Sequence, residues 1–123
     1  MKEMRNSDCG MRNENNQNRK FMAYEALKNR TKKFALDVIN LVEMLPNDQV
    51  GKILGGQLLR AGTSVGANYR SACRGRSNAD FISKMGIVEE EADETGYWLD
   101  LLISAGKVSQ EGRAVYLVTT AAV

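Results

Sequence analysis

The sequence contains no histidine, so the commonest general base and the commonest metal ligand are both missing. Catalysis is disfavoured by that inventory. The one carboxylate-dense run, EEEADE at residues 89–94, does not restore it. A di-metal bundle needs inward carboxylates with histidines at three-residue spacing, and most of these carboxylates fall on the outer side of a helical register. No catalytic residue, metal site, cofactor or small-molecule substrate is expected. Cysteine is also scarce: Cys9 and Cys73 lie far apart, Cys9 in a polar stretch, which excludes a disulfide framework and leaves free thiols, Cys73 as a packing residue. No stretch approaches the ~18–20 apolar residues of a membrane span, and MKEMRNSDCGMRNENNQNRK lacks the apolar centre of a signal peptide. The expectation is a cytoplasmic protein with no membrane partner.

What is present suits one small domain: 123 residues, 43% of them hydrophobic. A net charge of +2 conceals a gradient, because residues 1–33 are mainly basic and residues 77–123 mainly acidic. Such a gradient serves nucleic acid, and it equally serves identical subunits docking head to tail. Residues 1–20 are rich in Asn and Arg with almost nothing to bury, and are read as a disordered polar tail. Residues 21–123 are read as the bundle domain.

From Tyr24 the sequence has a helical stripe at Leu27, Thr31, Phe34, Val38, Leu41 and Leu45, closed by Pro46, the single proline. A second stripe, at Leu54, Leu58, Ala61, Val65, Asn68 and Ala72, predicts a helix over about 49–74 that ends before Gly75. Ser77 and Asp80 form a capping box for a third helix, with its stripe at Phe81, Met85, Val88, Ala92, Thr95, Leu99 and Leu102 and its end near Gly106. After Ser109 a fourth helix would be short and rich in β-branched residues. The fold class is therefore all-α, an antiparallel up-and-down four-helix bundle with a short or atypical fourth helix.

Gly62 and Gly66 sit on the shoulder of the second stripe, where small side chains let a neighbouring helix approach closely. Asn68 sits on the seam itself and is expected to be buried, with a partner on the third helix that fixes register. Arg60, Arg70 and Arg74 project from the opposite side. On the third helix Glu90, Asp93, Glu94 and Asp100 face outward, interleaved with Ile87, Tyr97 and Leu101, and the first helix exposes Leu36 and Ile39 on its outer side. These outer apolar positions fit either a wider buried face or a subunit interface.

The stretch QLLRAGTSVGANYRSACRGRSNADFISKMGIVEEEADETGYWLDLL, Gln57 to Leu102, closely resembles the four-helix bundle proteins related to those encoded in intervening sequences of bacterial large-subunit ribosomal RNA genes. KKFALDVINL in the first helix matches more loosely. The resemblance implies a ring-forming homo-oligomer, a pentamer, and carries the family's recurring positions onto Arg60, Ser64, Asn68, Arg74, Ser77, Phe81, Glu91, Glu94 and Trp98, with no catalytic role attached to any of them. A more distant similarity, to the accessory protein of diversity-generating retroelements, implies contact with nucleic acid. Relatives continue with a longer fourth helix than this sequence has.

Two functions remain. In the first, which the sequence favours, a non-enzymatic homo-oligomeric bundle acts as a binding scaffold and holds RNA or DNA phosphates non-specifically through Arg60, Arg70, Arg74, Arg76, Lys32 and Lys33, although no aromatic platform accompanies these arginines in the sequence. In the second, the chain is purely a protein–protein assembly module, docking through Ile87, Glu90, Glu94, Tyr97 and Leu101.

Overall fold

The structure is a computed structural model that describes the backbone of residues 2–113 and the side chains of residues 13–113. Its helices are α1 (Lys2–Glu43), α2 (Gln49–Cys73) and α3 (Asn78–Ser104), and among the described residues there is no strand. The chain leaves α1 because Leu45 precedes Pro46, whose ring disfavours helical backbone at the residue before it. The last turn tightens as it ends, with the Met44 N–H donating to Leu41 O and the Leu45 N–H to Val42 O, both at 3.1 Å. At its other end α1 runs back through the stretch assigned to the polar tail. Residues 13–23 are exposed throughout, and Tyr24 is the first described side chain of α1 to pack on the core.

Helix α2 lies between the other two and packs against both. The core is built from Phe34, Val38 and Leu41 of α1, Leu58, Val65 and Tyr69 of α2, and Val88, Leu99 and Leu102 of α3. Buried threonines need an acceptor, and theirs is local: Thr31 Oγ1 donates to Lys28 O at 3.0 Å and Thr95 Oγ1 to Glu91 O at 2.7 Å. Close approach of α1 to α2 depends on glycine. A Cβ on Gly62 would stand 2.8 Å from both methyl carbons of Val38, and one on Gly66 would stand 3.3 Å from Thr31 Oγ1.

The two-sided role of α2 corrects the single stripe read from its sequence. Its buried arc is broad and centred one position further round, so Tyr69 occupies the core at 2% exposure and Asn68 moves to the rim. Asn68 is half-buried, and its Nδ2 donates to Ser64 O in its own helix at 2.9 Å instead of reaching α3. Burial, and then the hydrogen bond with Cys73, raise the Tyr69 phenol well above its ordinary range, so this core hydroxyl stays neutral.

Ser77 caps α3 as its sequence predicts, Oγ accepting from the Asp80 N–H at 3.1 Å. The reciprocal half differs by one residue: Asp80 Oδ2 accepts from the Arg76 N–H at 3.1 Å, and also pairs with Lys84 Nζ at 3.3 Å. At the other end of α3, Gly106 has φ +71°, the Lys107 N–H donates to Leu102 O and the Gly106 N–H to Ile103 O, a Schellman ending that requires the left-handed backbone glycine adopts freely. Val108 then turns into the core, and Ser109 Oγ accepts from the Gly112 N–H at 3.2 Å. That cap opens the expected fourth helix over residues 110–113, and residues 114–123 lie outside the described residues.

Asp48 ties two connections together. Its Oδ1 caps α2 by accepting from the Gly51 N–H at 2.8 Å, while Oδ2 pairs with Lys107 Nζ at 2.9 Å, just beyond α3. The Gly51 amide, and then Lys107, hold the Asp48 carboxyl below its ordinary value. A carboxyl depressed in the folded state contributes stability that is complete above its unfolded pKa and is lost as pH falls through the folded one. The stability gap between the wild-type chain and Asp48→Ala is therefore expected to be constant near neutrality and to close below about pH 4. Urea titrations at a series of pH values measure it, and a gap independent of pH would count against the pairing.

Candidate nucleic-acid interface

The flank of α2 opposite its buried arc carries Arg60, Arg70 and Arg74, and all three are exposed. They have different neighbours. Arg60 is engaged within the chain: Nη1 lies 3.4 Å from Glu91 Oε2, Nη2 pairs with Glu94 Oε1, and Nε donates to Gln57 Oε1 at 3.3 Å. Glu94 Oε1 also accepts from Trp98 Nε1 at 3.2 Å. Arg60, Glu91, Glu94 and Trp98 thus form one cross-helix cluster that clamps α2 to α3. The sequence placed Arg60 and Glu94 on two complementary outer faces, and the fold turns them towards each other.

Lys33 is likewise paired, to Asp37 at 3.0 Å along α1. Lys32, Arg70, Arg74 and Arg76 are exposed, and among the described residues none of the four pairs with a carboxylate. Three of them follow one another at the end of α2, one helical turn separating Arg70 from Arg74 and Arg76 lying in the turn that follows. Positive charge at this end of the bundle is therefore available to a ligand.

Two aromatic rings stand at the same end. Tyr24 of α1 and Phe81 of α3 have ring centroids 5.9 Å apart and planes tilted by 37°, and Lys20 Nζ lies 5.8 Å from the Tyr24 centroid. Together with Cys73, Arg76 and Ser77 they line a cavity of about 270 Å³. The sequence reading missed this platform. A usable signal existed: in an up-down-up arrangement the first stripe residues of α1 and α3 lie at the same end.

The outer face of α3 holds the residues read as an oligomer interface. Ile87 and Tyr97 are 42% and 58% exposed, Glu90 and Asp93 are exposed, and Leu101 is half-buried. Tyr97 meets Trp98 edge-on, with centroids 5.1 Å apart. Leu36 of α1 is exposed and Ile39 half-buried. Among the described residues no three His, Cys, Asp or Glu side chains converge as a metal site requires, and no helix is long and apolar enough to cross a membrane.

Comparison with known proteins adds a family to this geometry. Residues 26–118 match the 23S rRNA-intervening sequence protein family. The chain is also similar to a crystal structure from Bacteroides thetaiotaomicron, a protein of unknown function from the S23 ribosomal protein family, at 40% identity and a TM-score of 0.68 over 77% of this chain and 89% of that one. None of the curated proteins matches the chain.

Proposed function

The chain belongs to the 23S rRNA-intervening sequence protein family, and from that membership we propose a non-enzymatic, self-associating helical bundle that acts by binding, with nucleic-acid backbone as the ligand of its basic end. The observation that carries this reading is the contrast among the arginines. Arg60 is committed to Glu91 and Glu94, while Arg70, Arg74 and Arg76 stand exposed with no carboxylate partner among the described residues. Neutralising phosphates releases condensed counterions, and that release makes RNA or DNA a favourable partner for such a cluster. Lys32 is available in the same way, while Lys33 pairs with Asp37 and Arg60 with Glu91 and Glu94. The sequence has no histidine, and among the described residues no metal-ligating side chains converge, so retention of the ligand, not its conversion, is the proposed activity.

Changing Arg70 and Arg74 together to alanine is expected to weaken RNA association and reduce the slope of log affinity against log salt by about two, leaving helix content intact. Anisotropy titrations over a range of salt concentrations measure both. An unchanged affinity would remove this face from nucleic-acid binding and favour the second reading, a protein–protein assembly module.

That second reading rests on the outer face of α3. Exposed Ile87 and Tyr97 flanked by Glu90 and Asp93 have the composition of an interface core with a polar rim. In the proposed assembly this face docks on a neighbouring copy in a closed ring, five-fold by family resemblance, located in the cytoplasm. Self-association through this face is common to both readings, because the basic end and this face involve different residues.

A further inference from the structure

We propose that the cavity lined by the Tyr24–Phe81 ring pair is a seat for one unpaired nucleotide, so that the basic end prefers single-stranded nucleic acid to duplex. This rests on the nucleic-acid reading above and deepens it by naming the form of the ligand. The seat joins parts that single-strand binding requires: an aromatic surface for a base and cations beside it for the flanking phosphates. Tyr24 and Phe81 come from different helices and meet at 5.9 Å, with Lys20 and Arg76 lining the same cavity, Arg70 in the last turn of α2 and Arg74 at its C-cap. A volume of about 270 Å³ is at the small end of ligand sites, which suits one flat ring and not a larger molecule.

The local acidic group does not oppose this. Asp80 Oδ2 is held by the Arg76 N–H and by Lys84 Nζ. The Asp80 amide is in turn taken by Ser77 Oγ. The Arg76 and Asp80 backbone donors are thus occupied, and phosphate contact is assigned to the side chains of Lys20, Arg70, Arg74 and Arg76. A duplex keeps its bases stacked inside and offers this end only its phosphates, so stacking distinguishes the two forms.

The test uses the full chain, a labelled short uridylate single strand and a short blunt RNA duplex, with affinities read by anisotropy at low salt. Wild-type protein is expected to bind the single strand more tightly. Phe81→Leu keeps apolar bulk but removes the ring, and is expected to weaken single-strand binding about ten-fold while leaving duplex binding essentially unchanged. Phe81→Trp guards against a folding defect, because restoring a ring should restore the single-strand preference. Lys20→Ala with Arg76→Ala should weaken single-strand binding and flatten its salt dependence. If Phe81→Leu leaves single-strand affinity intact while Arg70→Ala with Arg74→Ala lowers it, the seat is wrong and the nucleic-acid reading stands. Equal losses on both probes overturn the seat as well. Absence of binding to either probe by wild-type protein overturns both.

Discussion

Replacing Gly62 by valine is expected to lower the unfolding free energy by about 3 kcal/mol, the upper part of the range for overpacking a close-packed interior. The reason is the Val38 side chain. Both its methyl carbons lie 2.8 Å from where the first added carbon would go, and its own Cβ lies at 3.0 Å. A β-branched neighbour with its branch point that close cannot swing aside, so the backbone of α1 or α2 has to move. Valine also gains little helix propensity over glycine to offset the strain. Pairing Gly62→Val with Val38→Ala should recover at least half of the loss, because the added volume is then accommodated by its partner. Gly86→Ala makes a useful contrast: a Cβ there meets nothing within 4 Å, and stability should rise by about 0.5–1 kcal/mol. Chemical denaturation of the four chains measures all of these. A tolerated Gly62→Val would mean that α1 and α2 do not approach as closely as described.

The second large effect concerns assembly. Changing Ile87 and Tyr97 together to glutamate is expected to reduce the proposed ring to monomers at micromolar concentration, with helix content retained. Both side chains are exposed in the single chain, so charge at these positions costs the monomer little. Leu101 is a poorer choice, because it is half-buried and its replacement would confuse folding with association. Exposed ion pairs contribute only ~0.2–1 kcal/mol each, so high salt alone should loosen the ring without dissolving it. Light scattering after size exclusion gives the mass. A wild-type chain that is already monomeric would end the proposal, and a double variant that keeps the wild-type mass would place the interface elsewhere.

Much of the fold was legible because α1 and α3 each present one main face to the core. Thr31, Phe34, Val38 and Leu41, and likewise Val88, Thr95, Leu99 and Leu102, are buried as their spacing predicts. Helix α2 was legible only in part. It is covered from two sides, and a reading that seeks one stripe places Asn68 where Tyr69 stands. The candidate site was less legible for a related reason. Periodicity tells which side chains lie on the outer flank of a helix, but not how far that flank is rotated towards the next helix, and this rotation brings Arg60 onto Glu91 and Glu94. The meeting of Tyr24 and Phe81 depends on the axial offset of α1 and α3, which the lengths of the two turns constrain without fixing.

The central position of α2 leaves a groove between its neighbours, about 230 Å³, lined by Leu27, Val65, Met85, Val88 and Ala92 among others. The three long helices are therefore an open layer and not a closed cylinder. Anything that seats in the groove binds the folded chain and has no counterpart site in the unfolded one, so its occupancy adds to the folding free energy by mass action, about 2.7 kcal/mol for a ligand at a hundred times its Kd. Thermal stability and occupancy of that groove are thus linked equilibria, and the melting temperature of this chain reads out what is bound to it.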